Sequence, residues 1–494
     1  MLKGRIHMQY IGIDLGTSSV KFLLMQKDGI VLSTVSKEYP VSYPQPGWSE
    51  QNPEDWLRQT LTGLAELLET EHAEKSQVRG IGIGGQMHGL VVLDKENKVI
   101  RPAILWNDGR TEAETEFLNT VIGKKQLSEY TGNIAFTGFT APKILWMKKH
   151  EPENFRNISK IMLPKDYLVY MLTGAFTTDV SDASGMLLLD VKNRKWSKEM
   201  LEVCGISEQM LPEVHESYEV SGYVKTEIME TLGLSGSIIV VAGAGDNAAA
   251  AIGTGTVENG SCNISIGTSG TVFIASDNFR VDENNAIHSF GHANGKYHLM
   301  GCMLSAASCL KWWLEDIVKT RDYQGEQQEI KGMADNPVFF LPYLMGERSP
   351  HNDPNIRGAF LGLGMNTTRE QMVEAVFEGV AFALKDSLEI ARSLGIEIQK
   401  TKLCGGGAKS PIWRQILANI LNLEVEILET EEGPALGGAI LAAVACGGYD
   451  KIEDAVKQIV KVKETILPQE ELVEVYQKKY QKFRKLYPAV KEIL

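Results

Sequence analysis

Three groups of residues have types and spacings that could do chemistry. The first is a short turn that occurs twice, as Asp14-Leu15-Gly16-Thr17-Ser18-Ser19 and as Ser265-Ile266-Gly267-Thr268-Ser269-Gly270. Each copy follows an apolar, strand-like run and leads into another. Small residues at such a turn let backbone N–H groups converge on one concavity, which suits an anion. The Thr and Ser hydroxyls add donors and acceptors. Gly16, Thr17 and Ser18, with Gly267, Thr268 and Ser269, are therefore candidate phosphate contacts, one set in each half of the chain. Asp14 stands where the second copy has Ser265. A lone acid beside phosphates suggests magnesium, which takes oxygen ligands and needs few from protein. Gly, Ser and Thr are common in any turn; it is the second copy, in an equivalent strand context, that favours phosphate.

The second group is Asp246-Asn247, which closes the run Val240-Val241-Ala242-Gly243-Ala244-Gly245. A carboxylate at the end of an apolar strand, among glycines and alanines, lies in a tight and partly desolvated place where a general base is useful. Asp246 as the N-cap of the Ala-rich helix that follows is the structural alternative, and the two roles are compatible. The third group is a pair of loops, Gln86-Met87-His88-Gly89 and Trp106-Asn107-Asp108-Gly109-Arg110. Their mixture of amide, imidazole, indole, carboxylate and guanidinium suits a polyhydroxylated small molecule. Gly405-Gly406-Gly407-Ala408-Lys409-Ser410 precedes a helix start, so its backbone can approach a ligand closely. It is no P-loop, since GxxxxGK[ST] occurs nowhere. Gly80, Gly82 and Gly85 satisfy GxGxxG, but they lie along a strand that leads to another strand, which excludes the dinucleotide reading. His288 and His292 lack a nearby acid and are not read as a zinc site. Trp312-Trp313 reads as core.

These groups need elements to hold them. Strands are expected over 10–13, 20–25, 30–36, 78–84 and 90–93, then 261–265 and 270–275. A helix is expected from Pro53 to about Glu71, with Asn52 as N-cap and Pro53 at the first helical position. Others are expected over 142–149, over 368–394 and from Pro411, capped by Ser410, to Asn422. The stretch Gly433 to Cys446 reads as a small-residue helix able to pack very close to its neighbours. A charged amphipathic helix is expected over 469–494. The Gly/Ala run 243–253 is expected to flex as a hinge between domains spanning 8–245 and 246–494.

A chain of 494 residues exceeds one ordinary core. Its 43% hydrophobic and 23% charged content is that of a soluble globular protein. A formal charge of −13 argues against nucleic acid or an anionic membrane as main partner, yet leaves room for a nucleotide in a donor-rich pocket. The six cysteines are scattered with no CxxC pair, which reads as reduced thiols in a cytoplasmic protein. Met1 to Gln9 lacks the apolar stretch of a signal peptide and reads as a short lead before Met8. No run of about 18 apolar residues is present to span a membrane.

Tyr10-Ile11-Gly12-Ile13-Asp14-Leu15-Gly16-Thr17-Ser18, the late Gly-rich loop and the doubled hairpin resemble the sugar-kinase, heat-shock ATPase and actin superfamily. Gly138-Phe139-Thr140-Ala141-Pro142-Lys143-Ile144-Leu145-Trp146-Met147 looks like one signature of the FGGY carbohydrate kinases. The stretch from Gly358-Ala359-Phe360-Leu361-Gly362-Leu363 to Glu374-Ala375-Val376-Phe377-Glu378 looks like the other. The Gln86 and Trp106 loops, Leu163-Pro164-Lys165-Asp166-Tyr167-Leu168 and Gly346-Glu347-Arg348-Ser349-Pro350-His351 are similar to the branch of that family that acts on D-xylulose. The resemblance runs from about Met8 to the C-terminal helix. Ser18-Ser19 departs from the more usual Ser-Gly, and residues 1–7 lie outside the pattern.

The resemblance implies an α/β fold of two RNase H-like domains with mixed five-stranded sheets around a central cleft. It implies ATP and Mg2+ as cofactors, with the ketopentose D-xylulose as the other partner and a homodimer as one assembly. By the same resemblance Asp246 is the catalytic base and Asp14 the metal residue. Met87, His88, Trp106, Asp108 and Asn247 bind the sugar. The two hairpins hold phosphates, and Gly405, Gly406, Gly407 and Lys409 hold the nucleotide. The alternatives are a kinase of ribulose, L-fuculose, gluconate or glycerol, or, in a different class, a non-catalytic ATP-driven switch.

Overall fold

The computed structural model describes residues 8–328, 330 and 332–493; the lead expected over 1–7 lies outside them. Two compact units result, and both are assembled from separate stretches of chain. The first takes the chain up to Val257, then Ser289–His298 and Glu432–Val460; the second takes Glu258–His288, Leu299–Glu431 and the chain from Lys461 on. The expected division at 245/246 therefore falls inside the first unit.

The first unit is built on a seven-stranded sheet. Gln9–Leu15 pairs antiparallel with Ser19–Gln26, which pairs in turn with Val31–Glu38. On its other edge Gln9–Leu15 runs parallel to Val78–Gly85, which in turn lies parallel to Ile239–Val241 and to the short Ala244–Gly245. Tyr10, Ile11, Ile13 and Leu15 are all buried, as expected of a central strand covered on both faces. Helix Pro53–Leu67 begins where expected, with the Asn52 side chain accepting from the Glu54 N–H at 3.1 Å. The sheets have seven strands where five were expected; in the first, the addition includes the short pieces after residue 219 that lead to Asp246.

Helix Gly433–Ala445 covers one face of this sheet at backbone contact. Gly12 and Gly82 are register partners on the two parallel strands. A Cβ at Gly12 would lie 1.7 Å from the Ala435 carbonyl oxygen, and one at Gly82 would lie 2.0 Å from that of Gly438. Along the strand, Gly84 meets Pro434, Gly82 meets Gly438 and Gly80 meets Ala442 and Cys446. The helix thus runs opposite to the strand. Four helix residues rise about 6 Å and two strand residues about 6.6 Å, so a glycine at every second strand position meets every fourth helix residue. The three strand glycines are seats for this helix, which agrees with rejecting a dinucleotide loop there. The other side of the helix meets Asp246–Gly253 just as closely. A Cβ at Gly437 would lie 1.9 Å from the Ala249 oxygen, and one at Gly253 would lie 2.0 Å from that of Gly433. Ala249, Ala250 and Gly253, within the run expected to flex, serve this packing.

The second unit repeats the opening hairpin. Cys262–Ile266 and Gly270–Ser276 are antiparallel, and Lys400–Cys404 lies parallel to the first of them. Glu424–Leu428 and Val462–Ile466 extend the sheet. Helix Arg369–Ser393 starts from a capping box in which Thr368 and Gln371 exchange hydrogen bonds. Helix Pro411–Leu421 starts from Ser410, whose hydroxyl accepts from the Trp413 N–H at 3.2 Å. The C-terminal helix expected as one piece is two, Glu470–Phe483 and Leu486–Lys491. No helix among the described residues is long and apolar enough to cross a membrane.

Because the clash at Gly82 is with backbone, no rotamer change can relieve it. Gly82→Ala is expected to cost about 3 kcal/mol of stability, whereas Gly332→Ala, with nothing within 4 Å of the added carbon, should cost less than about 0.5 kcal/mol. Chemical denaturation of the two variants checks this, and equal midpoints would refute the backbone-contact account.

Candidate active site

Asp14 lies at the end of the opening strand, beside the end of its parallel neighbour, where it pairs with Gly84. Next along the sheet, Ala244 and Gly245 pair with Gly84 and Gly85, and Asp246 follows as the first residue of its helix. Two carboxylates are thereby delivered to one end of one sheet. Burial, reinforced by the negative charge of Asp246, pushes the Asp14 carboxyl up to about 7; Glu432 adds in the same sense and Lys21 opposes it. Burial also pushes Asp246 up to about 6, opposed by hydrogen bonds from Asn247. The Asn247 backbone N–H and side-chain amide both donate to Asp246 Oδ1, at 2.7 and 2.9 Å. The helix cap position is Gly245, not Asp246, so the capping alternative is set aside while the carboxyl stays poised near neutrality.

Met87 and His88 join this end. A Cβ at Gly245 would lie 2.9 Å from Met87 Cγ, and one at Gly185 would lie 2.4 Å from the His88 ring. His88 has φ +68, a conformation that its surroundings must enforce. They do so through its carbonyl oxygen, which accepts from buried Lys143 Nζ at 2.8 Å and Thr140 Oγ1 at 3.1 Å. The ring stacks on Phe139 at 4.7 Å. His88 Nδ1 lies 2.8 Å from the Gly185 carbonyl oxygen. A carbonyl only accepts, so Nδ1 carries the proton and Nε2 of the neutral ring is the acceptor.

The Trp106–Arg110 loop behaves differently at its two ends. Asp108 is 1% exposed. Its oxygens accept from the Arg110 N–H, Nε and Nη2 at 2.9, 2.8 and 2.7 Å and from the Ser49 N–H at 2.6 Å. Arg110 in turn stacks on Trp48, 3.7 Å from the ring centroid. Three bonds from its own loop and one from Ser49 occupy this carboxylate. Trp106 is 40% exposed, and its indole N–H donates to Thr17 Oγ1 at 3.0 Å. That bond ties the Trp106 loop to the first of the two glycine turns. Gln51 braces the same turn, donating to the Thr17 carbonyl at 2.6 Å while accepting from Gln86 and Trp56 at 3.0 and 3.1 Å. Ser18 is exposed and Gly16 and Thr17 are half-buried, so the turn is open to a ligand.

In the second unit Thr268, Gly406, Gly407 and Lys409 line one cavity of about 960 Å3, so the second phosphate turn and the Gly-rich loop come together as expected. Gly405 has φ +84, and a Cβ there would lie 2.7 Å from the Ile266 oxygen; only glycine fits. Ser308 reinforces the turn by donating to the Thr268 carbonyl at 2.7 Å. Trp312, read as core, is half-buried and forms part of the same wall with Tyr323 and Gln327. Lys409 sits 3.6 Å from Glu431 at an exposed position.

Some contributors were not singled out from the sequence. Gln51 and Trp48 follow a proline-rich loop without any motif. Asp179, Ser181 and Asp182 lie in Thr178-Asp179-Val180-Ser181-Asp182-Ala183, where alternating acids and serines are the one visible signal.

Comparison with known proteins agrees with this arrangement. Residues 9–253 match the N-terminal domain of the FGGY family of carbohydrate kinases, and residues 262–446 match its C-terminal domain. A xylulose kinase of Escherichia coli (strain K12) is 42% identical over 482 residues, which cover 97% of this chain and 98% of its own. The crystal structure of a xyloylose kinase from Brucella ovis superposes with a TM-score of 0.93 at 40% identity, over 98% of this chain and 100% of the other. A gluconate kinase from Lactobacillus acidophilus gives 0.92 at 26% identity, over 98% of each chain, so the fold by itself does not select the sugar. By sequence and by fold, the chain belongs to the FGGY family of carbohydrate kinases.

Proposed function

We propose that this kinase transfers the γ-phosphoryl group of ATP to the 5-hydroxyl of D-xylulose, giving D-xylulose 5-phosphate and ADP. The observation that carries the reading is the convergence of Met87, His88 and Asp246 around Gly185 and Gly245. The choice of sugar leans on the xylulose kinase relative that matches nearly the whole chain. Asp246 takes the proton from the attacking hydroxyl; a carboxyl raised to about 6 is ionised at neutral pH yet more basic than an exposed one. Asn247 holds that carboxylate in place. His88 Nε2 accepts from a sugar hydroxyl, Met87 covers the C–H face, and Trp106 closes over it. Asp108 keeps the Trp106 loop in shape. Gly16, Thr17 and Ser18, with Gly267, Thr268 and Ser269, bind phosphate through backbone N–H groups and hydroxyls. Gly405, Gly406, Gly407 and Lys409 border the nucleotide.

Among the described residues no group of three or more His, Cys, Asp or Glu is gathered for a metal. Asp14 nevertheless stands in the negative field of Asp246 and Glu432, which a cation would relieve. A single carboxylate suits Mg2+, an ion that keeps most of its waters. When bound with the nucleotide, Mg2+ supplies neutralising charge to the phosphate oxygens.

ADP release with a panel of ketopentoses and polyols tests the substrate; D-xylulose turned over no faster than ribulose, gluconate or glycerol would refute the assignment. Asp246→Asn keeps the shape of the carboxylate but not its basicity, and kcat should fall by roughly 10² to 10⁴. The wild-type kcat should decline as pH drops through about 6, where Asp246 takes up its proton. The sign for stability is opposite. A folded pKa above the ordinary 3.8 makes the ionised form a burden at pH 8, so Asp246→Asn should melt no lower than wild type there. Asp14→Ala should raise the magnesium concentration needed for half-maximal rate while leaving the circular dichroism spectrum unchanged; an unaltered magnesium titration removes Asp14 from the site.

A further inference from the structure

Beneath Asp246 the first unit buries one lysine among three acids. Lys165 Nζ lies 2.6 Å from Asp166 Oδ1, 3.0 Å from Asp179 Oδ1 and 3.9 Å from Asp182 Oδ2, and all four side chains are 0–1% exposed. Burial drives the Asp182 carboxyl well above the usual carboxylate range, with Lys165 opposing, and Asp166 and Asp179 are the two acids nearest the ammonium. Burying such a cluster is costly and is weak evidence of a stabilising role. Apart from the Leu163 N–H, which donates to Asp166 Oδ2 at 3.1 Å, its remaining hydrogen bonds lead to the turn 242–245, just before Asp246.

Lys165 Nζ donates to the Ala242 carbonyl at 3.1 Å, and its stem passes 3.1 Å from where a Cβ of Gly243 would be. Asp179 Oδ2 accepts from the Ser181 N–H and Oγ at 2.8 and 2.5 Å and from Ser217 Oγ at 2.7 Å. Ser181 Oγ then accepts from the Gly245 N–H at 3.1 Å, and the Ser217 carbonyl accepts from the Gly243 N–H at 3.0 Å. Both ends of the turn are thus held by groups bonded to the same ion pair. Gly243, at φ +77, brings the turn against the neighbouring strand, where a Cβ would lie 2.2 Å from the Ile83 oxygen, so only glycine fits there.

We propose that Lys165, Asp179 and Ser181 form a clamp that positions Asp246 for proton abstraction, with Lys165 fixing the entry to the turn and Ser181 its exit. The clamp touches no substrate, so its loss should appear in kcat rather than in KM. This rests on Asp246 as the base, which Asp246→Asn tests separately.

Lys165→Met would strand buried carboxylates and endanger folding, so the test is made at Ser181. Ser181→Ala removes one acceptor and is expected to lower kcat fivefold or more, with KM for ATP and for D-xylulose within twofold of wild type. Ser184→Ala is the control. Ser184 lies in the same buried segment and donates to Val180 and accepts from Gly291, but it makes no bond to the turn. It should lose similar thermal stability while keeping kcat within twofold. A fall of less than fivefold in Ser181→Ala, or an equal fall in Ser184→Ala, overturns the clamp. An inactive Asp246→Asn beside a fully active Ser181→Ala would leave the base in place and remove only the clamp.

Discussion

The contact between the backbone of helix Gly433–Ala445 and the two strands carrying Gly12 and Gly82 is the constraint on which the first unit depends. A helix normally stands off a sheet by the length of its side chains. Here Gly12, Gly82 and Gly438 remove the intervening Cβ atoms, so helix and sheet meet main chain to main chain. The same helix presses on Asp246–Gly253 through Gly437 and Gly253. One element therefore sets the separation between the strand that ends at Asp14 and the helix that begins at Asp246. It is contributed by a stretch nearly two hundred residues beyond Asp246, which is why the first unit cannot be cut from the chain as one continuous piece.

That geometry has an electrostatic consequence. Burial raises the cost of ionising both acids at this end of the sheet, and the charge of Asp246 adds to it at Asp14. Left exposed, both would be ionised well below neutrality and would be poor bases. Held close and partly desolvated, Asp246 gains basicity while Asp14 gains affinity for positive charge. Both changes follow from the placement of main chain and need no further ionisable partner. A cavity between helix and sheet large enough for ordinary side chains would admit water, screen the pair and return both groups toward their ordinary range.

What could be read from the sequence was local in origin. Asn52 and Ser410 cap helices where expected because a cap bond spans only two or three residues. The doubled hairpin was visible for the same reason, and so was the close packing of the small-residue helix. Glycines were ambiguous. The run 243–253 was read as a hinge, but a small residue permits close approach as readily as flexibility, and only the partner at 433–437 decides between them. Asp108 was read as a sugar contact on its chemistry, yet Arg110, Ser49 and Trp48 enclose it. Trp312 packs against the core as expected, but composition cannot show that its other face lines a cavity. Lys165 was noticed only within a family-like stretch. Its partners Asp179, Asp182 and Ala242 are up to 77 residues distant, and no local pattern links them.

The two hairpins show how one backbone design is turned to two uses. Asp14 pairs with Gly84 across the parallel strands of the first sheet, and the corresponding Ser265 pairs with Cys404 in the second. Two residues earlier, Gly12 faces Gly82, whereas Asn263 faces Lys402. The first pair leaves a bare patch of sheet that accepts a helix backbone. The second fills the same register with long polar side chains, and Asn263 and Lys402 are nonetheless buried. On the proposed reading this divides the labour. A carboxylate in the second turn would repel a nucleotide phosphate held against its N–H groups, so Ser265 keeps that turn uncharged. In the first turn the carboxylate is useful because a metal, not bare phosphate, is its expected neighbour. On that reading the turns would hold phosphate alike through main chain, and the residue that opens each turn, with the floor behind it, determines what else each can do.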